Sequence, residues 1–212
     1  MDVTELSDFE LLERWRAGDR GAGDRLFSRH VKPLFRFFRN KVDDALAEDL
    51  TQSTLLGCAA SRDRLRGESS FRTYLFAIAR KQLLMHFRGR LRDRHEVALE
   101  TMSVVDLGAS PSTMLRAGAE QRLLLQALQR LPVDFQIAVE LYYWEGLSTA
   151  EIAGVLEVAD GTVRSRLSRA RTQLAETMAA LADAPAQADS GLERLETVAR
   201  SLADLDRDQS GG

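Results

Sequence analysis

The residues best suited to chemistry lie between Leu147 and Leu174, in LSTAEIAGVLEVADGTVRSRLSRARTQL. From Thr162 to Gln173 this stretch holds four arginines, Arg164, Arg166, Arg169 and Arg171, and no acid. A guanidinium presents a planar fork of donors that fits a phosphate or the O6/N7 edge of guanine, so a row of them on one helix suits DNA. On a wheel of 100° per residue Val163, Leu167, Ala170 and Leu174 form one narrow apolar stripe. Ser165, Arg169 and Thr172 lie opposite, with Arg164 and Arg171 on one flank and Arg166 on the other. Upstream, Ser148 and Glu151 have capping-box spacing, and Ile152, Ala153 and Leu156 face inward from the helix they open. A capped helix, a short turn and a second helix bearing arginines predict a helix-turn-helix whose second helix lies in the major groove. Arg166 or Arg169 is expected to read bases, and Arg164 and Arg171 to anchor on phosphate. A surface helix with solvated arginines is what the row alone would suggest.

A second basic patch has another character. From Arg62 to Arg94 there are ten Lys/Arg against three Asp/Glu. Within LRGESSFRTYLFAIARKQLLMHFRGR, residues 65–90, Phe71, Leu75, Ile78, Gln82 and Met85 share one side of a helix. Phe76, Leu83 and Phe87 share another, leaving Thr73, Arg80, Lys81 and Arg88 as a polar stripe. A helix apolar on two sides is mostly buried, so core packing accounts for most of these aromatics. The cations beside the short loop Leu65–Ser70 also suit the unstacked bases of single-stranded DNA. No catalytic arrangement stands out. His30, His86 and His95 are scattered, Cys58 has no partner, and neither a Gly-rich phosphate loop nor HExxH occurs. No enzyme activity, metal or cofactor is expected.

The elements that must hold these patches are helical almost throughout. The 212 residues suffice for two small helical domains, and 44% hydrophobic with 29% charged residues describes a soluble protein. No apolar run approaches the roughly 20 residues that span a bilayer, and Asp2 and Glu5 stand where a secretory signal would be basic. The lone cysteine predicts a reducing, cytoplasmic setting. The net charge of −3 conceals the two basic patches, because residues from Asp183 onward hold seven acids and three bases, a charge of −4, which leaves +1 for residues 1–182.

Ser7 and Glu10 predict a capped helix ending near Gly18. A second is expected from about Ala22 to Val42, kinked at Pro33, a third from near Asp44, and a fourth over roughly Ser69–Arg90. Periodicity fades after Arg92. The expected architecture is all-α: a first domain over 1–92, a flexible linker over 93–118, a second domain over 119–181, and an acidic extension over 182–212. In that extension Leu192, Leu195, Val198 and Leu202 suggest one amphipathic helix, able to fold back on a basic face.

Two of these segments carry a family resemblance. LRGESSFRTYLFAIAR and the upstream AEDLTQSTLL resemble region 2 of the extracytoplasmic-function (ECF) sigma factors, and RLPVDFQIAVELYYWEGLSTAEIAGVLEVADGTVRSRLSRARTQL resembles region 4. The two matches stand in the right order with a linker of suitable length. The resemblance implies a protein that docks on the clamp of core RNA polymerase, recognises the −35 and −10 promoter elements and assists melting. It implies polymerase contact by Asp49, Gln52 and Ser53. Contact with the −10 element falls to Leu65, Arg66, Gly67, Glu68, Ser69, Ser70, Phe71, Tyr74, Arg80, Lys81 and Arg88. Contact with the −35 element falls to Thr162, Arg164, Ser165, Arg166, Arg169 and Arg171. An anti-sigma factor is a further partner of such proteins, and membrane insertion is not expected. The sequence departs from the family pattern at three points: Ser53 replaces a usual glutamate, Lys81 a common asparagine, and Glu157 a frequent glycine. A one-component helix-turn-helix regulator with an N-terminal sensing or dimerisation domain shares the second motif but leaves the first unexplained.

Overall fold

The computed structural model describes residues 6–64, 70–90, 102–108 and 119–182. Four helices form a first unit: α1 Asp8–Arg16, α2 Arg20–Arg39, α3 Asp44–Ala60 and α4 Phe71–Arg90. Each of the first three begins where a short polar side chain accepts an otherwise orphaned backbone N–H. Ser7 and Glu10 close the expected capping box on α1, Asp19 accepts from Ala22 N, and Asp43 accepts from Leu46 N. Pro33 sits inside α2 without ending it. Leu11, Leu26, Phe38, Phe76, Leu83 and Phe87 are at the centre of the packing. At Gly23 a Cβ would lie 2.7 Å from Trp15 Cδ1, so glycine is what allows α2 to close on the α1 indole.

A second unit comprises α5 Ala119–Leu128, α6 Val133–Tyr143, α7 Thr149–Leu156 and α8 Asp160–Leu181. Part of the expected linker belongs to it. Residues 102–108 form a turn in which Ser103 Oγ donates to Asp106 Oδ2 at 2.7 Å and accepts from Asp106 N at 3.1 Å. Val133 N donates to Met102 O at 2.8 Å and Val105 N to Gln129 O at 3.2 Å, while Val104 and Leu107 are buried. This turn supplies the acceptor for the first N–H of α6, whose N-cap, Pro132, makes no side-chain cap bond. These seven residues are therefore packed structure and not spacer. The acidic extension and its expected helix lie outside the described residues.

The two units lie against each other, with α4 packed along α7, and Arg36 of α2 and Lys41 just past it reaching Glu145 and Glu140 at the C-terminal end of α6. No strand occurs among the described residues.

Between α7 and α8, Glu157 takes φ 57° and ψ 43°, the left-handed conformation that glycine usually supplies at a helix C-terminus. A side chain there costs about 1 kcal/mol, and Glu157 is exposed, so little burial offsets that cost. Glu157→Gly should raise the thermal midpoint by about 2–4 °C, read by circular dichroism. An unchanged or lowered midpoint would show that this turn is not strained.

Candidate nucleic-acid interface

The helix-turn-helix forms as its residues dictate. Ser148 Oγ accepts from Glu151 N, and the Glu151 carboxylate accepts from Ser148 N at 2.9 Å. These bonds hold the Glu151 carboxyl below its ordinary range, the backbone bond contributing most. The stripe Val163, Leu167, Ala170 and Leu174 is buried. Thr162, Arg164, Ser165 and Arg169 are exposed on the other side of α8, and Arg171 is half-buried. Arg164 pairs with Asp160 one turn earlier, an exposed contact worth little. Arg166 does not share that open face: its Nη1 lies 2.9 Å from Asp134 Oδ2, and the side chain is 20% exposed. Of the two arginines expected to read bases, only Arg169 is presented to solvent.

The patch on α4 differs more from expectation. Leu65, Arg66, Gly67, Glu68 and Ser69 lie outside the described residues. Ser70 caps α4 by accepting from Thr73 N at 3.2 Å, and its Oγ also donates to Glu151 Oε1 at 3.1 Å. Phe71 is a core residue and not a surface one, with Phe27 and His30 rings at centroid distances of 6.2 and 5.3 Å. Tyr74 is held inward, its hydroxyl donating to Ser61 O at 3.1 Å. Arg80 makes a two-pronged bond to Asp134, Nε to Oδ1 at 2.9 Å and Nη2 to Oδ2 at 3.1 Å. Lys81 and Arg88 are exposed, whereas Thr73, placed in the same polar stripe, is buried. Met85, placed on an apolar side, is exposed. A wheel orders the faces of a helix but does not say which neighbour covers each. Here α7 packs on Thr73, and Asp134 of α6 takes Arg80.

On α3, Asp49, Gln52 and Ser53 are exposed together, with Glu48 beside them. The same edge ends in Leu56, 64% exposed, a residue the sequence reading passed over. Its signal was positional, since Leu56 follows Gln52 by four and Ser53 by three and so must share their face. An exposed leucine among polar groups offers an apolar anchor to a partner surface.

Carboxylates and cations meet in the seam between the units. Lys41 is 0% and Glu140 2% exposed in their side chains, with Nζ 2.5 Å from Oε2. Lys41 also donates to Phe37 O at 2.8 Å and lies 3.9 Å above the Phe37 ring. Gln136 Nε2 donates to Glu140 Oε1 and to Asn40 O. Burial pushes the Lys41 ammonium down and the Glu140 carboxyl up, and each group's charge partly offsets the shift of the other. Glu145 pairs with Arg36 at 2.5 Å and with Arg72 at 3.2 Å. Burial raises the Cys58 thiol to about 12, which keeps it protonated. Among the described residues no cluster of three or more His, Cys, Asp and Glu could hold a metal, and no helix is long and apolar enough to cross a membrane.

The two halves of this arrangement match known families. The family model for sigma-70 region 2 matches residues 26–93 and that for sigma-70 region 4 matches residues 121–174. The chain is 36% identical over 176 residues to the ECF RNA polymerase sigma factor SigM of Mycobacterium tuberculosis, covering 82% of this chain and 86% of that protein. It is 32% identical over 179 residues to the RNA polymerase sigma-H factor of Pseudomonas aeruginosa, covering 80% and 92%. Among solved structures it is similar to the sigma factor RpoE in complex with the anti-sigma factor NepR from Bartonella quintana. That match has a TM-score of 0.54 and 29% identity, covering 70% of this chain and 91% of that one.

Proposed function

The chain belongs to the extracytoplasmic-function subfamily of the sigma-70 RNA polymerase sigma factors, and from that premise we propose how its residues divide the work. Residues 1–92 dock on the clamp of core polymerase through the α3 edge formed by Asp49, Gln52, Ser53 and Leu56. The loop 65–69, with Ser70, Arg80, Lys81 and Arg88, holds the melted −10 element. Residues 119–181 read the −35 element as duplex through the exposed face of α8. A sigma factor contributes binding and positioning, and bond formation remains with the polymerase. The observation that carries this reading is the division of α8 into a fully buried apolar stripe and an opposite face bearing Thr162, Ser165 and Arg169. An anti-sigma factor is a further partner, by likeness to the RpoE that was solved with NepR. The setting is the bacterial cytoplasm, at the nucleoid when in holoenzyme.

The α3 edge is the part most directly tested. Asp49→Lys and Gln52→Arg alter exposed side chains, so neither should change the helical circular dichroism. Each is expected to cut co-purification of core polymerase at least about tenfold, as charge mismatch in an interface does. Undiminished co-purification by both would remove α3 from the polymerase contact.

A further inference from the structure

We propose that the turn 102–108 is a spacing device: docked on the second unit, it limits how far apart the two promoter elements can lie. The proposal rests on the assignment of a DNA face to each unit. The way the turn is fixed carries it. Val133 N donates to Met102 O at 2.8 Å and Val105 N to Gln129 O at 3.2 Å, so the connection between α5 and α6 holds its backbone at two points. Val104 is 0% and Leu107 5% exposed. Ser103 closes the turn on itself, donating from N and Oγ to the Asp106 carboxylate at 3.1 and 2.7 Å. Gly108 ends it at φ 65°, a conformation open to glycine, and its N–H donates to Val105 O at 2.9 Å.

Docking shortens the tether between the units. Helix α4 ends at Arg90, and residues 91–101 lead from it to the turn. A trans chain gains at most about 3.6 Å per residue, so the path from Arg90 to Met102 reaches no further than about 43 Å. With the turn undocked, the tether would run on to Ala119 at the start of α5, a reach of about 104 Å. The difference, about 60 Å, is the rise of about 18 base pairs of duplex. A tether too short to span two sites forbids their joint occupation, whereas one with length to spare tolerates many separations. The docked turn therefore gives this chain an upper limit on spacing that the undocked chain would lack.

The test uses holoenzyme reconstituted from core polymerase and the full chain, transcribing from a selected two-element promoter and from versions with base pairs added between the elements. Two variants lengthen the tether by different means. Val104→Ser with Leu107→Ser removes the apolar contacts that seat the turn. An insertion of about six Gly/Ser residues after Arg94 adds about 20 Å of reach and leaves the second unit untouched. At about three added base pairs the unmodified chain is expected to lose at least about tenfold in initiation, and both variants no more than about threefold. Amide exchange of the peptide 102–108 in holoenzyme reads the docking itself. It should be slow in the unmodified chain and in the insertion variant, and fast in the serine variant. If the serine variant is inactive at every spacing, the insertion variant decides alone. A spacing profile unchanged by the longer tether overturns the proposal and leaves two-element recognition standing, as does fast exchange of the turn in unmodified holoenzyme. If no two-element promoter is selected at all, the assignment of the DNA faces fails and the spacing limit fails with it.

Discussion

Glu140→Ala should shift the chain out of its closed arrangement by about 3–5 kcal/mol, the usual penalty for leaving a buried charge without its partner. Lys41 has no solvent of its own in the closed form, and its ammonium relies on Glu140, the Phe37 carbonyl and the Phe37 ring. Removing the carboxylate leaves an ion that burial already pushes toward neutrality. The cheapest escape is for the units to part and let Lys41 meet water. The loss should therefore appear as lost compactness and as faster amide exchange in α6 and α7. Urea unfolding of the helices themselves should register much less of it. The double replacement Lys41→Met, Glu140→Leu should restore the closed form or strengthen it, because apolar groups of similar size remove the desolvation cost altogether. Unaltered scattering and exchange in Glu140→Ala would show that the pair does not hold the seam.

Arg169→Ala should remove about 1–3 kcal/mol of discrimination between a matched −35 duplex and one mismatched at a single position. Arg169 is exposed in the middle of the face opposite the buried stripe, where a helix in the major groove meets base edges. Arg164 and Arg171 flank that face and are the proposed phosphate anchors. Alanine at either should weaken matched and mismatched duplexes alike and lower the salt slope by about one. Arg166 starts from a different state, since Asp134 of the same unit holds it. Its truncation removes the proposed DNA contact and a bond within the second unit together. Titrations at several salt concentrations separate these roles. A uniform loss for Arg169→Ala across matched and mismatched sequences would make it another anchor.

What could be seen in advance was local. The Ser7–Glu10 and Ser148–Glu151 boxes involve residues three apart, and both form as their spacing requires. The stripe Val163, Leu167, Ala170 and Leu174 is buried because four residues at helical spacing leave one face for the partner helix. What escaped depends on residues far apart in the chain. Lys41 and Glu140 are separated by 99 positions, and Arg80 and Asp134 by 54, so no window on the sequence pairs them. Arg80 and Arg166 therefore read as two DNA-contacting cations on separate helices, when they share one carboxylate. Phe71 was ambiguous for a different reason: an aromatic at the start of a basic helix suits a stacked base or a core equally, and Phe27 and His30 decide it. The turn 102–108 carried a signal in Ser103 and Asp106, yet its two buried apolar residues are too few to mark an element by periodicity. Glu157 shows the converse. Its departure from glycine changed the cost of the turn and not its geometry.

The most direct measurement is promoter selection with a reconstituted holoenzyme, in which core polymerase and the full chain transcribe from a library of random upstream sequences. The expected result is initiation at a fixed distance downstream of a two-part element, dependent on the chain and lost with Asp49→Lys. Core polymerase that initiates no differently with the chain than without it would contradict the assignment of this protein as a promoter-directing sigma factor.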